Sequence, residues 1–329
     1  MVAVTGATGL LGSFIVKKFV SENIPVVAIK RVNSDLSQFE KTDGVEWRDA
    51  DVTDSLSIAE AFKNVDTVIH AAALVSFDPR AKEKIYKINV DGTRQVVDEC
   101  LKLGISRLIF ISSVAALGRK KGQKEISEEN QWTESDLNSD YAKSKYLAEL
   151  EIFRGQEEGL NISIVNPSVI LAPANANRSS AQVFKYVQQE RKFYTDGDVN
   201  VVDVRDVAEI VFALYKKNLF GEKFIASNGQ MSLKELMDEI AKRLGKKGPS
   251  IKIHPRLVQL AAWAEEIRCR ITGAEALVSR QSVKTPGEKF LYLNAKSINR
   301  LQMSYRPLSE TLDWCCEYYR KSFNANKSI

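Results

Sequence analysis

Residues 2–14 read VAVTGATGLLGSF and carry three glycines at a spacing of three, namely Gly6, Gly9 and Gly12. An apolar run precedes them and an amphipathic run follows, so they lie at a turn from a strand into a helix. Glycine permits a tight turn and lets the backbone approach a pyrophosphate, while the helix N-terminus offers unpaired N–H groups to the anion. The stretch predicts a dinucleotide-binding turn; the alternative is a glycine-rich turn without a ligand.

Short apolar runs alternate with amphipathic runs through the first half of the chain. The strand-like runs are 2–5, 25–29, 45–48, 66–70, 107–112 and 162–166. Their hydrophobicity is continuous, which indicates strands covered on both faces, and strands that alternate with helices imply right-handed crossovers and a parallel sheet. The predicted fold class is α/β: a Rossmann-type doubly wound parallel sheet with a smaller, mostly helical C-terminal substrate lobe.

The strand–helix rhythm loosens after residue 166 and returns at 199–217 and 222–227. We therefore predict two lobes in one compact unit. Residues 1–166 plus 199–227 form the dinucleotide-binding domain, and residues 167–198 plus 228–329 form the substrate-binding lobe. Within the second lobe, Ser232 and Glu235 have the spacing of a helix capping box. Residues 257–267, LVQLAAWAEEI, predict a core or interface helix.

The composition excludes several classes of protein. The net charge is +5 over 329 residues, and the basic runs 119–124 and 242–247 lack interleaved aromatic residues, so nucleic-acid binding is not expected. Neither a signal-peptide pattern nor an apolar run of about 18 residues is present. We expect a cytoplasmic protein without membrane insertion.

Metal binding is not expected either. The chain has two His and four Cys without the spacing of a metal site. The adjacent Cys315 and Cys316 lie in DWCCEYY, an amphipathic run. This run predicts helix packing with one thiol turned outward, and unpaired thiols favour a reducing compartment.

The end of the second strand-like run bears on which cofactor the turn would hold. An acidic residue usually follows this strand when the ligand is NAD, because it binds the ribose 2′-hydroxyl. Here Lys30 and Arg31 occupy the position. Two cations suit a 2′-phosphate, so the sequence favours NADP over NAD. The alternative is a pair of surface charges at a strand end.

Two stretches suggest acid–base chemistry. Residues 107–118, RLIFISSVAALG, form a buried strand that ends in Ser112 and Ser113, where a hydroxyl can donate to a substrate carbonyl. Residues 139–146, SDYAKSKY, place Tyr141 and Lys145 on one helix face, with a rise of about 6 Å. A nearby ammonium, together with an oxidised nicotinamide, would lower the pKa of the tyrosine and allow proton transfer near neutral pH.

The spacing of tyrosine and lysine occurs a second time, at Tyr292 and Lys296. The stretch FLYLNAKS follows Pro286 and Gly287 and is predicted to be extended. In a strand, residues four apart share a face but stand about 13 Å apart. We interpret this second pair as structural.

Together these motifs resemble those of the extended short-chain dehydrogenases/reductases, in the NAD-dependent epimerase/dehydratase superfamily, over nearly all of the chain. TGATGLLG resembles the cofactor turn, DVTD (51–54) the adenine contact, HAAA (70–73) the fourth-strand motif and INVDGT (88–93) a helix whose Asn89 is often structural. NPSVILAP (166–173) resembles a segment facing the nicotinamide, although Asn166 and Ala172 replace the usual Arg and Gly. The cofactor-binding residues implied by the resemblance are Thr5, Gly6, Thr8, Gly9, Leu10, Leu11, Gly12, Lys30, Arg31, Asp51, Val52, Ala71, Ala72, Ala73, Asn89, Tyr141, Lys145, Pro167 and Val169.

The resemblance also implies a mechanism. Tyr141 would be the acid/base, Lys145 would lower its pKa and bind the nicotinamide ribose, and Ser113 would orient the substrate oxygen. Ser113 fits better than Ser112, because it stands five residues before Gly118 as in the family pattern. Hydride would pass between nicotinamide and a carbonyl or alcohol carbon. His70 is interpreted as a packed strand residue and not as a base.

The stretch HAAALVSFDP (70–79) resembles the dihydroflavonol-reductase-like and hydroxysteroid-dehydrogenase-like branches. Sugar-nucleotide members commonly carry an Arg near the position of Asn200. We therefore expect an NADP(H)-dependent reductase or dehydrogenase acting on a small hydrophobic substrate. The alternatives are a nucleotide-sugar epimerase/dehydratase and a non-catalytic NADP-binding sensor.

Candidate substrate contacts are Val75, Phe77 and Ala115, and further candidates that packing would equally explain are Trp132, Phe184, Phe193 and Tyr194. Family members often dimerise through the tyrosine-bearing helix and the one before it, so a homodimer is expected.

Overall fold

The computed structural model describes residues 1–36, 44–120, 122–135, 138–174, 181–254 and 289–325. The predicted helix at 257–267 and Cys269 lie outside these ranges.

A seven-stranded sheet forms the centre of the molecule, in the order β11-β7-β5-β4-β1-β2-β3, and every pairing in it is parallel. The strands are β1 (Val2–Thr5), β2 (Val26–Lys30), β3 (Val45–Asp49), β4 (Thr67–His70), β5 (Arg107–Ile111), β7 (Asn161–Pro167) and β11 (Glu222–Ala226). Each of the predicted strands is present to within one residue at either end. The prediction of a doubly wound parallel sheet is confirmed.

Helices cover both faces of this sheet. The helices of the first 226 residues are α1 (Leu10–Ser21), α2 (Ser55–Ala61), α3 (Lys82–Tyr86), α4 (Gly92–Lys102), α5 (Asp140–Glu157), α6 (Gln182–Gln188) and α7 (Val204–Lys217). Helices α1 and α7 pack on one face, and α2, α4 and α5 pack on the other.

The continuous hydrophobicity of β1 has a direct structural reason. Val2 and Val4 belong to the core under α1 and α7, whereas Ala3 between them belongs to the core under α4 and α5. Successive strand residues point to opposite faces, so a strand that is covered on both faces buries every residue. The same arrangement brings the carboxyl ends of β1, β4, β5 and β7 to one edge, where a ligand binds in such sheets.

Small sheets and helices lie outside the seven-stranded sheet, most of them in the predicted second lobe. Strand β10 (Asp198–Asp203) pairs with β8 (Val169–Leu171) and β12 (Gln230–Ser232), outside the seven-stranded sheet. The further elements are β6 (Glu125–Ile126), β9 (Phe193–Tyr194), β13 (Ile251–Lys252), β14 (Leu291–Tyr292), α8 (Leu233–Leu244), α9 (Ala295–Leu301) and α10 (Leu308–Ala325). The division of residues between the two lobes stays a prediction.

Two local predictions for this lobe have different outcomes. Ser232 caps α8 together with Glu235 in a reciprocal capping box, so that prediction is confirmed. Cys315 and Cys316 are both fully buried, within the core that α6, α8 and α10 share. The expectation that one thiol would face outward is wrong, because α10 is contacted on two sides.

No helix in the described ranges is both long and apolar enough to cross a membrane. The same residues contain no cluster of His, Cys, Asp and Glu that could hold a metal ion.

Candidate active site

The turn between β1 and α1 is too tight for any residue other than glycine at two positions. Gly6 has a φ of +67°, and a Cβ there would lie 2.7 Å from the backbone of Ala72. A Cβ on Gly12 would lie 2.1 Å from the carbonyl oxygen of Gly6. Helix α1 starts after Gly9 without a side-chain cap. Its first N–H groups therefore face the edge of the sheet without a side-chain acceptor, which fits a pyrophosphate.

Thr5 and His70 hold the ends of β1 and β4 together beneath this turn. The Thr5 hydroxyl lies 2.7 Å from His70 Nδ1 and accepts a hydrogen bond of 3.2 Å from the Ala72 N–H. His70 Nε2 lies 3.0 Å from the Thr93 hydroxyl. Burial, with the charge of Lys145 as a smaller contribution, lowers the pKa of His70 to about 3. The ring is neutral and packed, as predicted, and the Thr5 side chain positions the turn.

The two cations after β2 have different surroundings. Lys30 forms an ion pair with Asp49, the neighbouring residue on β3, and only 15% of its side chain is exposed. Arg31 is exposed, and among the described residues no carboxylate lies within ion-pair distance of it. It lines an open cleft of about 520 Å³ together with Asp51 and Ser57. Arg31 is therefore better placed than Lys30 to meet a ligand.

Asp51 lines that cleft together with Arg31, and Val52 follows it in the chain. Burial raises the pKa of Asp51, but hydrogen bonds from the Thr53 N–H and hydroxyl, together with the charge of Arg31, bring it below its usual value. Val52 packs against the first residue of α4, where a Cβ on Gly92 would approach it to 2.9 Å. Both side chains lie where an adenosine would be expected.

The two serines after β5 differ in what they contact. Ser112 is buried and donates a hydrogen bond of 2.6 Å to Glu149. Ser113 is partly exposed and caps a short 3₁₀ turn (Val114–Ala116) by accepting from the Ala115 N–H. Its side chain also interacts with the Tyr141 phenol, which lowers the pKa of that phenol against the larger effect of burial. This difference agrees with the choice of Ser113 over Ser112.

Tyr141 lies in the first turn of α5, which Ser139 caps by accepting a hydrogen bond from the Ala142 N–H. Burial raises the pKa of Tyr141, and the hydrogen bond with Ser113 opposes that rise. The lowering of the pKa expected from an ammonium together with an oxidised nicotinamide stays a prediction. Desolvation of the phenolate outweighs the stabilising contacts that the protein supplies.

Lys145 is buried one turn further along α5. Its Nζ donates a hydrogen bond of 2.8 Å to the carbonyl of Ile111 and lies 4.1 Å from the centre of the Phe110 ring. Burial lowers the pKa of Lys145 to about 7, and the charge of Glu149 partly opposes this. The sequence predicted the shared face with Tyr141 but not the fixed tether to β5.

Glu149 and Asn166 are site residues that the sequence reasoning missed. Both are fully buried, and Asn166 Nδ2 donates to Glu149 at 2.7 Å and to the Ser113 carbonyl at 3.0 Å. Lys223, from β11, donates to the second oxygen of Glu149 at 3.1 Å. Two signals could have indicated them: Glu149 repeats the helical spacing from Tyr141 through Lys145, and Asn166 departs from the family pattern.

Asn89 connects the segment after β4 to helix α5 through hydrogen bonds of its side-chain amide. Its amide oxygen accepts from the Leu74 N–H at 2.7 Å, and its nitrogen donates to the Leu74 carbonyl and to the Ser144 hydroxyl, each at 3.0 Å. Because these bonds occupy the buried amide, we correct Asn89 from cofactor ligand to positioning residue. It lies in a π-helical turn (Lys87–Asp91) between α3 and α4, a kind of distortion often found at functional sites.

The other residues assigned to the cofactor lie along the same edge of the sheet. Thr8, Leu10 and Leu11 belong to the glycine turn and the start of α1, and Ala71 and Ala73 follow β4. Pro167 ends β7 and is buried, whereas Val169 begins β8 and is 42% exposed. The topology thus brings the predicted cofactor residues together.

Of the proposed substrate contacts, Phe77 has the clearest relation to the site. Its ring lies 6.0 Å from the ring of Tyr141, in an edge-to-face arrangement, and is 40% exposed. Val75 is also exposed, and Ala115 lies in the turn that Ser113 caps. Among these three, the Phe77 ring is the side chain that contacts the ring of Tyr141.

The aromatic residues named with them divide into packed and exposed ones. Phe184 is fully buried against Tyr319, so ordinary packing explains it. Trp132 stacks on Tyr146 of α5 at 4.5 Å. Phe193 is exposed on β9, and Tyr194 beside it is partly covered.

The second tyrosine–lysine pair is separated by the fold. Tyr292 is buried in β14, where its N–H donates to Asn200 Oδ1 at 3.3 Å. Lys296 lies in α9 and pairs with Glu222 at 3.1 Å. The stretch is extended only through β14, so the expected extension to Lys296 is wrong. The interpretation of the pair as structural agrees with these contacts.

Comparisons with known proteins agree with this arrangement. The family model for the NAD dependent epimerase/dehydratase family matches residues 2–226. A putative dihydroflavonol 4-reductase of Synechocystis sp. is 26% identical over 315 residues, covering 94% of this chain and 91% of its own length. Sterol demethylase protein B of Methylococcus capsulatus is 27% identical over 260 residues, covering 78% of each chain. The crystal structure of gox2253 superposes with a TM-score of 0.84 at 28% identity, over 98% of both chains.

Proposed function

This chain belongs to the NAD dependent epimerase/dehydratase family and is an NAD(P)-dependent oxidoreductase of the extended short-chain type, and we propose that it uses NADP(H) to interconvert a carbonyl and an alcohol on a small hydrophobic substrate. The observation that carries the proposal is the convergence of three groups. The side chain of Ser113 interacts with the phenol of Tyr141 and opposes the rise in its pKa by burial. The ammonium of Lys145 lies one turn after Tyr141 on α5.

The residues divide the work between orientation and proton transfer. Ser113 donates to the substrate oxygen and orients it toward Tyr141. Tyr141 gives its proton to that oxygen in reduction and removes it in oxidation. Lys145, fixed to the Ile111 carbonyl, provides the positive charge that favours the phenolate. When bound, the nicotinamide supplies or accepts the hydride.

NADP(H) is favoured over NAD(H) by the charge beside the cleft. Arg31 is exposed there, and a guanidinium binds a 2′-phosphate through paired hydrogen bonds. The acidic residues of the cleft, Asp51 among them, would by contrast favour a ribose hydroxyl. We assign the preference to NADP(H) because Arg31 directly follows β2, where the 2′-substituent is read.

A hydrophobic substrate is favoured by the surroundings of Tyr141. Phe77 exposes apolar surface beside the Tyr141 ring, and Val75, two residues before it in the chain, is also exposed. Asn200 lies near the position where sugar-nucleotide enzymes commonly place an Arg. Its amide oxygen accepts a hydrogen bond from the Tyr292 N–H of β14, and its amide nitrogen donates to the carbonyl of Phe290, just before β14, at 2.6 Å. That amide is not available to a diphosphate. The relatives named above are a putative dihydroflavonol reductase and a sterol demethylase protein, and sterols are apolar.

The direct test is a turnover assay. The purified chain is incubated with NADPH and a panel of aromatic and polycyclic ketones and aldehydes, and the loss of NADPH absorbance is followed. We expect turnover with at least one apolar carbonyl compound and a lower rate with NADH. A parallel thermal-shift series uses nucleotide sugars: strong stabilisation by one of them, with no carbonyl turned over, would replace the proposal with an epimerase or dehydratase. NADPH binding without turnover on either panel would favour the sensor.

Three further assignments belong to the proposal. We place the protein in the cytoplasm, and we assign dimerisation to α4 and α5, where Leu150 is 44% exposed. We also retain the two-lobed division, with the cofactor on the seven-stranded sheet and the substrate under the second lobe. Light scattering at low and high protein concentration would test the dimer.

A further inference from the structure

A buried polar cluster lies directly behind the Ser113–Tyr141–Lys145 group. We call it the Glu149 cluster, and its members are Ser112, Glu149, Asn166 and Lys223. Glu149 has 1% of its surface exposed, and burying a carboxylate is costly unless its oxygens are hydrogen-bonded. Three donors meet this need, at 2.6 Å from Ser112, 2.7 Å from Asn166 and 3.1 Å from Lys223.

Three consecutive residues at the end of β5 are tied to neighbouring elements, Ile111 and Ser112 to α5 and Ser113 to Asn166 at the end of β7. The carbonyl of Ile111 accepts from Lys145, the hydroxyl of Ser112 donates to Glu149, and the carbonyl of Ser113 accepts from Asn166. The strand end that carries Ser113 is therefore held through Lys145 and Glu149, which stand one turn apart on α5. Neither Ser112 nor Glu149 has a role in the proton transfer itself.

We propose that Glu149 is a positioning residue for the reaction, which fixes the Ser113 end of β5 through Ser112 and Asn166 and supplies the negative charge that faces the Lys145 ammonium. The inference rests on the proposed function, because it assigns Glu149 to the same Ser113–Tyr141–Lys145 group. Lys223, whose side chain is 22% exposed, forms an ion pair with the second oxygen of Glu149 at 3.1 Å.

The charges around Lys145 determine what Glu149 does to it. On α5 it has the neutral phenol of Tyr141 before it and the Glu149 carboxylate after it. From β4 it faces His70, which is neutral, and from β5 it meets the Phe110 ring and a backbone carbonyl. Glu149 is thus the negative charge among these neighbours, and it opposes the lowering of the Lys145 pKa by burial.

The first variant is Glu149→Gln, with Glu151→Gln as the matched control. Glu151 lies on the same helix and pairs with Arg94 and Arg154, away from the cluster. Without the charge of Glu149, the pKa of Lys145 falls and its ammonium is lost at lower pH. In E149Q we therefore expect kcat to fall about tenfold or more, and the decline of kcat/KM at alkaline pH to begin at a lower pH. E151Q keeps the wild-type values.

The second variant is Ser112→Ala, which preserves the charge and removes one tether. We expect a smaller fall in kcat with an unshifted pH profile, and it serves in place of E149Q if that variant does not fold. An E149Q enzyme that keeps the wild-type pH profile overturns the proposal. If E149Q does not fold, S112A with wild-type kcat does so as well.

A readout independent of turnover separates this proposal from the proposed function. Amide hydrogen exchange at residues 107–118 should be faster in E149Q than in E151Q, because the tether of the strand end is weakened. If the wild-type chain reduces no carbonyl compound, the proposed function fails. Faster exchange in E149Q then still supports the positioning of the Ser113 segment, and unchanged exchange overturns it.

Discussion

A Cβ atom on Gly12 would lie 2.1 Å from the carbonyl oxygen of Gly6, so the two glycines are in backbone contact across the turn that begins the fold. Gly6 in turn lies close against the backbone of Ala72, since a Cβ atom built on Gly6 would be 2.7 Å from it. Gly6 therefore has little room to move away from Gly12. We expect Gly12→Ala to force the turn open, to lower the free energy of unfolding by about 1–3 kcal/mol and to weaken NADPH binding at least about tenfold. Calorimetric titration and thermal unfolding measure both effects.

The control for this variant is Gly245→Ala. Gly245 also has a positive φ, of +67°, but no atom lies within 4 Å of its Cβ position. It should lose about 1 kcal/mol of stability and retain full NADPH affinity. Wild-type cofactor affinity in G12A would contradict the assignment of the turn.

Tyr141→Phe should reduce kcat by about 10²–10⁴-fold, because the ring keeps its contact with Phe77 but has no proton to transfer. NADPH affinity should be unchanged. Tyr146→Phe is the matched control, since Tyr146 lies on the same helix and only stacks on Trp132. Steady-state assays with cofactor titration distinguish the two, and full activity in Y141F would remove the acid/base role from Tyr141.

Arg31→Ala should weaken NADPH binding by about tenfold to a hundredfold, which corresponds to about 1.5–3 kcal/mol for a charge-assisted hydrogen bond. NADH binding should change little, because NADH lacks the 2′-phosphate. Lys30→Ala should have a smaller effect, since Lys30 already pairs with Asp49. Equal affinities of wild type and R31A for NADPH would mean that Arg31 does not bind the 2′-phosphate.

The buried Lys145 should give the cofactor-free protein a specific pH dependence of stability. Its pKa is lowered to about 7 in the folded chain, against an ordinary value of 10.5. Between these values the unfolded chain binds a proton that the folded chain lacks, so the free energy of unfolding rises with pH. Lys145→Met lacks this term, and the melting temperature of wild type minus that of K145M should increase from about pH 7 to about pH 10. A constant difference would show that the pKa is not lowered.

Arg306→Met should destabilise the junction between α7 and the C-terminal segment. The Arg306 guanidinium forms an ion pair with Asp206, which is fully buried. The main-chain N–H of Arg306 also donates to the Asp206 carboxylate, at 3.0 Å. Removal of the guanidinium leaves a buried charge without its cation, at a cost of about 3–5 kcal/mol. Arg300→Met, at a surface pair with Glu222, should cost less than about 1 kcal/mol. Chemical denaturation of both variants tests the difference.

The strands of the main sheet could be predicted because burial on both faces leaves a continuous apolar run, as in β1 and β5. The glycine turn, Ser113, Tyr141 and Lys145 follow from local spacing together with the position of each segment at a strand end. Local spacing marks Glu149 as sharing the helix face of Tyr141 and Lys145, but its contact with Asn166 could not be found in that way, because it joins α5 to β7 through space. The raised pKa of Tyr141 and the ion pair of Lys30 likewise depend on burial and on cross-strand neighbours.

The pairing of β14 with β6 has a consequence for how the protein is made. Leu291 and Tyr292 pair with Glu125 and Ile126, and Tyr292 shares a hydrophobic cluster with Leu117 and Val114, the residue after Ser113. During synthesis, the strand that supports this loop leaves the ribosome about 180 residues after Ser113 does. The cofactor-binding half can begin to fold on the nascent chain, but the loop that carries Ser113 receives its outer support only after residues 291–292 have been synthesised.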